Sequence, residues 1–255
     1  PVEQFERSSY PAFTSDTKND TPIQNEDAIT QARAIMNLNK QQLHAFEEAT
    51  KFVEEESGLS CFLLKGYAGT GKTYLIKTLY QYLMEQNKKV VLLAPTGRAA
   101  RVITQRTECP ASTIHSAIYG MNRFLEEVIL DQDGKRTKTY KVVFKLLDDM
   151  TDEATVFIVD EASMVSNMEN ESEFVQFGSG KLLADFFKYA RLNVPKYTNR
   201  IIFVGDPAQL PPVGMNTSPA LDADYLHREF GVQAKECALT QVMRQEDGLI
   251  LRNAM

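Results

Sequence analysis

The sequence predicts an α/β architecture on a doubly wound parallel sheet, and three observations carry that expectation. Four short, nearly unbroken apolar runs, at 59–64, 90–94, 155–159 and 200–204, lack the polar alternation of a half-solvated strand. Stretches of helical period separate them, which is the order of successive βαβ units. A chain of 255 residues that is 43% hydrophobic and 24% charged is also long and apolar enough to bury a core between sheet and helices.

The elements follow in order. Residues 1–36 are rich in Ser, Thr, Asp, Asn, Gln and Pro without sustained period, and are expected to form a polar arm with no chemistry of its own. From Leu38 the pattern changes: Asn39 can cap a helix whose face carries Leu43, Phe46, Phe52 and Val53. Further helices are expected at 72–86, 97–105, 181–192 and 219–230, so that 37–255 reads as one domain. One interruption breaks the alternation. Runs at 124–130 and 137–146 flank Asp131-Gln132-Asp133-Gly134, the signature of a β-hairpin inserted at about 122–147.

Composition excludes several classes. The longest apolar run, from Val90 to Pro95, is far below the roughly 18 residues of a membrane helix, so no membrane association is expected. Cys61, Cys109 and Cys237 lie far apart with no paired spacing, which argues against a disulfide framework or zinc site and for a reducing, cytoplasmic setting. The chain starts at Pro1 without a basic-then-apolar leader and reads as a processed or excised piece. A net charge of −6 repels polyanions in bulk, so any such site is local. Two acid-free windows qualify: 88–107, with Lys88, Lys89, Arg98, Arg101 and Arg106, and 134–147, with Lys135, Arg136, Lys138, Lys141 and Lys145. Either also fits an ordinary solvated surface.

The chemistry concentrates at predicted strand ends. Gly66-Tyr67-Ala68-Gly69-Thr70-Gly71-Lys72-Thr73 matches the phosphate-binding loop G-x-x-x-x-G-K-[ST] between a strand and a helix. Its glycines let backbone N–H groups close around phosphate oxygens, Lys72 reaches the outer phosphates and the Thr73 hydroxyl is placed for Mg²⁺. After the strand at 155–159, Asp160 is suited to the metal and Glu161 to taking a proton from an attacking water. Gln209, in Gly205-Asp206-Pro207-Ala208-Gln209-Leu210-Pro211-Pro212, offers an amide to a γ-phosphate or its water, oriented by the stiff prolines. With Ala94-Pro95-Thr96-Gly97-Arg98, four strand ends converge on the edge where open parallel sheets bind ligands.

In order, Leu38-Asn39-Lys40-Gln41-Gln42, the phosphate loop, the segment Ala94-Pro95-Thr96-Gly97-Arg98-Ala99-Ala100, Thr113-Ile114-His115, Asp160-Glu161-Ala162-Ser163, Gly205-Asp206 through Pro212, and Val242-Met243-Arg244-Gln245 resemble the first motor domain of superfamily 1B DNA helicases of the RecD/Dda type. The resemblance implies a RecA-like P-loop NTPase fold and ATP as the nucleotide. It implies that Gln42 reads the adenine edge, that Arg244 points at the γ-phosphate like an arginine finger, and that Thr96, Gly97, Arg98, Thr113 and His115 line a path for single-stranded DNA. It implies 5′ to 3′ movement by a monomer, and a second RecA-like domain for which no segment here remains. This chain alone is therefore expected not to unwind DNA. The hairpin resembles a strand-separating pin, while a mere cover for one sheet face fits its residues equally well. A GTPase or small-molecule kinase lacks support, since no Asn-Lys-x-Asp segment follows the phosphate loop; a nucleotide-dependent binding module is disfavoured by the retained Asp160, Glu161 and Gln209.

Overall fold

The computed structural model describes residues 34–54, 60–130, 136–148, 154–169, 172, 174–192 and 198–243, with backbone alone at 126–130 and 136–139. Its elements are α1 (Lys40–Glu54), β1 (Cys61–Gly66), α2 (Lys72–Glu85), β2 (Lys89–Ala94), α3 (Gly97–Thr107), β3 (Ala111–Thr113), α4 (Ile114–Ile118), β4 (Tyr119–Leu130) and β5 (Arg136–Leu146). They continue with β6 (Thr155–Val159), β7 (Val175–Phe177), α5 (Leu182–Tyr189), β8 (Arg200–Gly205), α6 (Ala223–Phe230) and β9 (Ala234–Leu239).

Six strands form one parallel sheet in the order β3-β2-β6-β8-β1-β9. Successive strand residues point to opposite faces, and both faces are dry. Cys61 and Leu63 of β1, Phe157 and Val159 of β6, and Ile201 and Phe203 of β8 pack with Leu183, Phe186 and Phe187 of α5. Their neighbours Phe62 and Leu64, Val156 and Ile158, and Ile202 and Val204 pack with Phe46 and Phe52 of α1, Leu75 and Leu79 of α2 and Ile103 of α3. This two-sided burial is why the central strands lack alternation. Asn199, buried, ties the layers by accepting from the Thr155 N–H at 2.8 Å and donating to the Ala190 carbonyl at 2.8 Å.

The doubly wound sheet and the hairpin agree with the sequence reading, and several details differ. β4 and β5 pair antiparallel from Tyr119↔Leu146 to Leu130↔Arg136, so the hairpin starts slightly earlier than expected, and β7 adds to β5 to make a second, three-stranded sheet. The helix expected at 181–192 spans only Leu182–Tyr189, and its successor splits into a 3₁₀ turn, Pro219–Leu221, and α6, where the Asp222 carboxylate caps by accepting from the Tyr225 N–H at 2.9 Å. Strand β9 was not expected: as an edge strand it pairs with β1 alone and carries Lys235 and Glu236, which hide its apolar content. Strands β3 and β7, three residues each, are too short to show a period. Residues 1–33 of the expected arm lie outside the described residues; the Ile35 carbonyl already accepts from the Leu38 N–H at 3.1 Å. Among the described residues no helix is long and apolar enough to cross a membrane.

Candidate nucleotide-binding site

The phosphate loop links β1 to α2, and its shape follows from contacts that hold it from behind. Gly71 has φ +82, a conformation that disfavours side chains, and a Cβ there would collide with the Gln42 Nε2. Gln42 is buried at the start of α1. Its Nε2 donates to the Thr70 carbonyl at 3.0 Å, while its Oε1 accepts from the Asn39 N–H at 3.0 Å; the Asn39 Oδ1 accepts in turn from the Gln42 N–H at 2.8 Å. This reciprocal capping box therefore starts α1 and braces the loop at once. Thr70, also buried, donates from its hydroxyl to the Tyr67 carbonyl at 2.8 Å. No side chain caps α2 at Gly71, so its first N–H groups are left for a ligand. From the other side the Met243 N–H donates to the Gly69 carbonyl at 2.8 Å, and the Gln41 Oε1 accepts from the N–H groups of Thr240 and Gln241 at 3.0 and 2.8 Å.

A cavity of about 530 Å³ opens over this loop, lined by Ala68, Gly69, Gly71, Lys72, Thr73, Asp160, Glu161 and Gln209 together with Arg106, Asp206 and Met243. The structure thus brings together Lys72, Thr73, Asp160, Glu161 and Gln209 from three separate strand ends. The Lys72 ammonium folds back onto the loop, donating to the Gly66 carbonyl at 2.6 Å and the Tyr67 carbonyl at 3.0 Å. Gly66, Thr70 and Gln42 lie behind the wall rather than on it. Both ends of the Gln42 amide are engaged, so an adenine contact from Gln42 requires one of these bonds to be given up. Arg244 lies outside the described residues; Met243, its neighbour, is on the wall.

Burial pushes the Asp160 carboxyl up to about 6, and the Glu161 charge adds to this; the Glu161 backbone N–H, Lys72 and Arg106 act the other way. Glu161 has φ 52, left-handed for a non-glycine residue, at the entrance to the 3₁₀ turn Ala162–Met164. That turn places Ser163, fully buried, so that its hydroxyl donates to the Gln209 Oε1 at 2.6 Å. The expectation assigned this orientation to the prolines; the contact seen on Gln209 is the serine hydroxyl. Asp206, buried, accepts from the Ala208 N–H at 2.9 Å and presents a third carboxylate to the cavity.

The hard oxygen donors of Thr73, Asp160 and Asp206 fit a magnesium ion that shares a triphosphate, because such an ion needs only one or two protein oxygens. Among the described residues no group of three or more His, Cys, Asp or Glu side chains could hold a metal unaided.

The residues expected to line a DNA path gather beyond β2 and β3, across β6 and β8 from the phosphate loop. Thr96 caps α3, its hydroxyl accepting from the Ala99 N–H at 3.2 Å, with Gly97 and Arg98 exposed beside it. Thr113 caps α4, accepting from the Ser116 N–H at 3.0 Å. The His115 ring rests edge-on against Phe177 at 5.0 Å, and burial lowers its pKa, which favours the neutral imidazole. Thr96 and His115 border a second cavity of about 1100 Å³ whose wall is mostly apolar, including Phe144, Phe177 and the stretch from Leu210 to Val213. Of the five, Thr96 and His115 line it; Gly97, Arg98 and Thr113 do not.

Asp206 and Arg106 are site residues that the sequence reading did not assign. Asp206 stood inside a quoted motif without a role, whereas Arg106 was counted with the basic window because nothing in its spacing reveals which cavity the end of α3 borders.

A phosphate loop between a parallel strand and a helix, with an acid pair at a nearby strand end, defines a P-loop domain of the doubly wound class. Residues 49–215 match the family model described as AAA domain, and the chain belongs to that family. Relatives include the ATP-dependent DNA helicase Dda of Enterobacteria phage T4, 28% identical over 84% of this chain and 41% of its own length. They also include the ATP-dependent DNA helicase Pif1 of Psychrobacter sp., 29% identical over 79% of this chain and 28% of its own. An uncharacterized protein of Methanocaldococcus jannaschii, MJ1519, is 32% identical over 74% of this chain and 14% of its own. The chain thus spans less than half the length of these relatives. The likeness to superfamily 1B helicase motor domains, read first from ordered motifs, is borne out by these matches.

Proposed function

We propose that the chain is the first motor domain of an ATP-dependent DNA helicase, which binds and hydrolyses ATP with Mg²⁺ while holding single-stranded DNA along the neighbouring strand ends. The observation that supports this most is one loop bordering two cavities: Asp206 and Gln209 face the phosphate cavity, and Leu210 to Val213 form a wall of the other. A shift of this loop on loss of the γ-phosphate is carried to whatever fills the second cavity. Apolar and aromatic walls suit unpaired bases of any sequence, and the basic face at Arg98 suits their phosphates.

In this reading the N–H groups of the loop and α2 bind the inner phosphates, and Lys72 leaves its own loop carbonyls to meet the outer ones. Thr73 and Asp160 hold the magnesium ion, which supplies charge neutralisation at the phosphates. Glu161 takes a proton from the attacking water, Gln209, fixed through Ser163, orients that water, and Arg244 meets the γ-phosphate. Gln42 reaches adenine after exchanging its Thr70 contact. The DNA contacts belong to Thr96, Gly97, Arg98, Thr113 and His115, with movement 5′ to 3′. The domain spans 37–255 behind an arm at 1–36, acts as a cytoplasmic monomer, and takes its second RecA-like domain from a longer parent.

ATP turnover with and without single-stranded DNA tests this, on this chain and on one extended past Met255. Slow turnover here, DNA-stimulated turnover in the extended chain, and loss of both with Lys72→Ala are expected. Turnover in the extended chain that ignores DNA, or survives Lys72→Ala, overturns the proposal.

A further inference from the structure

Among the described residues the phosphate cavity carries few cations for the ligand assigned to it. Its wall carries three carboxylates, Asp160, Glu161 and Asp206, against Lys72 and Arg106, and the Lys72 ammonium is bonded to loop carbonyls. A triphosphate entering such a site needs positive charge placed beforehand.

Arg106 meets that need structurally. Its backbone is fixed from both sides: Ile103 and Thr107 are buried, and the Thr107 hydroxyl donates to the Ile103 carbonyl at 2.7 Å. The Thr104 hydroxyl donates to the Ala100 carbonyl at 2.9 Å and accepts from the Ala111 N–H at 3.1 Å, locking the end of α3 to β3. The Arg106 side chain, by contrast, is exposed and has no hydrogen bond or ion pair among the described residues, although it shares a wall with three acids. Its charge is felt at Asp160, where it favours the ionised carboxylate. A guanidinium on a rigid base, unpaired and facing a phosphate-sized cavity, is arranged for an external anion.

We infer that Arg106 contacts the outer phosphates of the bound nucleotide, as a further cation acting beside Lys72 and the proposed Arg244. This rests on the nucleotide reading of the site and adds a binding residue to it. Because a planar fork can bond two phosphate oxygens at once, the contact favours a triphosphate over a nucleoside monophosphate.

The test is equilibrium binding of a nonhydrolysable ATP analogue and of AMP to this chain, with thermal unfolding as a check on integrity. Arg106→Ala is expected to weaken the analogue about tenfold to a hundredfold. AMP affinity should move much less, and Arg106→Lys should recover part of the loss. If Arg106→Ala fails to fold, Arg106→Gln, which keeps the shape without the charge, gives the reading. Wild-type affinity in a folded Ala or Gln variant overturns the inference while leaving the nucleotide site standing. No saturable binding by the unsubstituted chain, or binding untouched by Lys72→Ala, overturns the nucleotide site and this inference with it.

Discussion

Asp160 sets folding against use. Burial raises its carboxyl from 3.8 to about 6, so the folded chain binds its proton more tightly than the unfolded one. Between those values the unfolded state holds fewer protons, and stability falls as pH rises; above about 6 the full cost is present. Asp160→Asn should therefore stabilise the ligand-free chain by on the order of 1–3 kcal/mol at pH 7.5, and the gain should fade as pH falls to about 4. Urea unfolding of both proteins at the two pH values checks this, and the same substitution should abolish magnesium-dependent turnover. Ser163 gives a second case. Removing its hydroxyl frees the Gln209 amide without touching the phosphate loop, so Ser163→Ala should lower turnover about tenfold at nearly unchanged nucleotide affinity, read as a kcat loss at constant KM. The phosphate loop, Asp160, Glu161 and Gln209 were legible in the sequence because each follows an apolar run at fixed local spacing. The Ser163 contact and the place of Arg106 were not, because they join residues far apart in the chain and depend on where a turn and a helix end come to rest.

At the level of elements, a buried polar pair joins the base of the inserted hairpin to α5. The Tyr119 hydroxyl donates to the Asp185 Oδ2 at 2.7 Å, the Ser179 N–H donates to the same oxygen at 2.8 Å, and burial together with the carboxylate holds the phenol well above its usual pKa. Phe144 and Phe177 stack at 4.7 Å beside it. Tyr119→Phe leaves the buried carboxylate one donor short and should cost about 1–3 kcal/mol, seen in urea unfolding, with faster amide exchange in β5 and β7 than in β1. Asn39→Ala removes half of the capping box behind the phosphate loop; a loss of about 1 kcal/mol is expected from the cap. Central strands and long helices were readable because burial on two faces or one stripe leaves a period. The edge strand β9 was not, since its burial comes from a partner, β1, that precedes it by most of the chain.

For the molecule as a whole, the two cavities sit on one sheet edge and share the loop from Asp206 to Val213 as a common border. Leu210 and Val213 are 87% and 98% exposed there, which leaves this loop available to a ligand or a further domain. In an extended chain, Pro211→Gly should loosen the connection and lower DNA stimulation of turnover while basal turnover changes less; steady-state rates at saturating DNA measure it.

The register of β1 also bears on synthesis. Cys61 lies against Ile201 on one side and Ala234 on the other, so the strand that launches the phosphate loop has no neighbour among the residues made near it. During translation the cradle stays unfinished until nearly the last described strand has left the ribosome. A nascent chain stalled before β8 should accordingly retain no labelled nucleotide, and one released beyond β9 should acquire it in a single step.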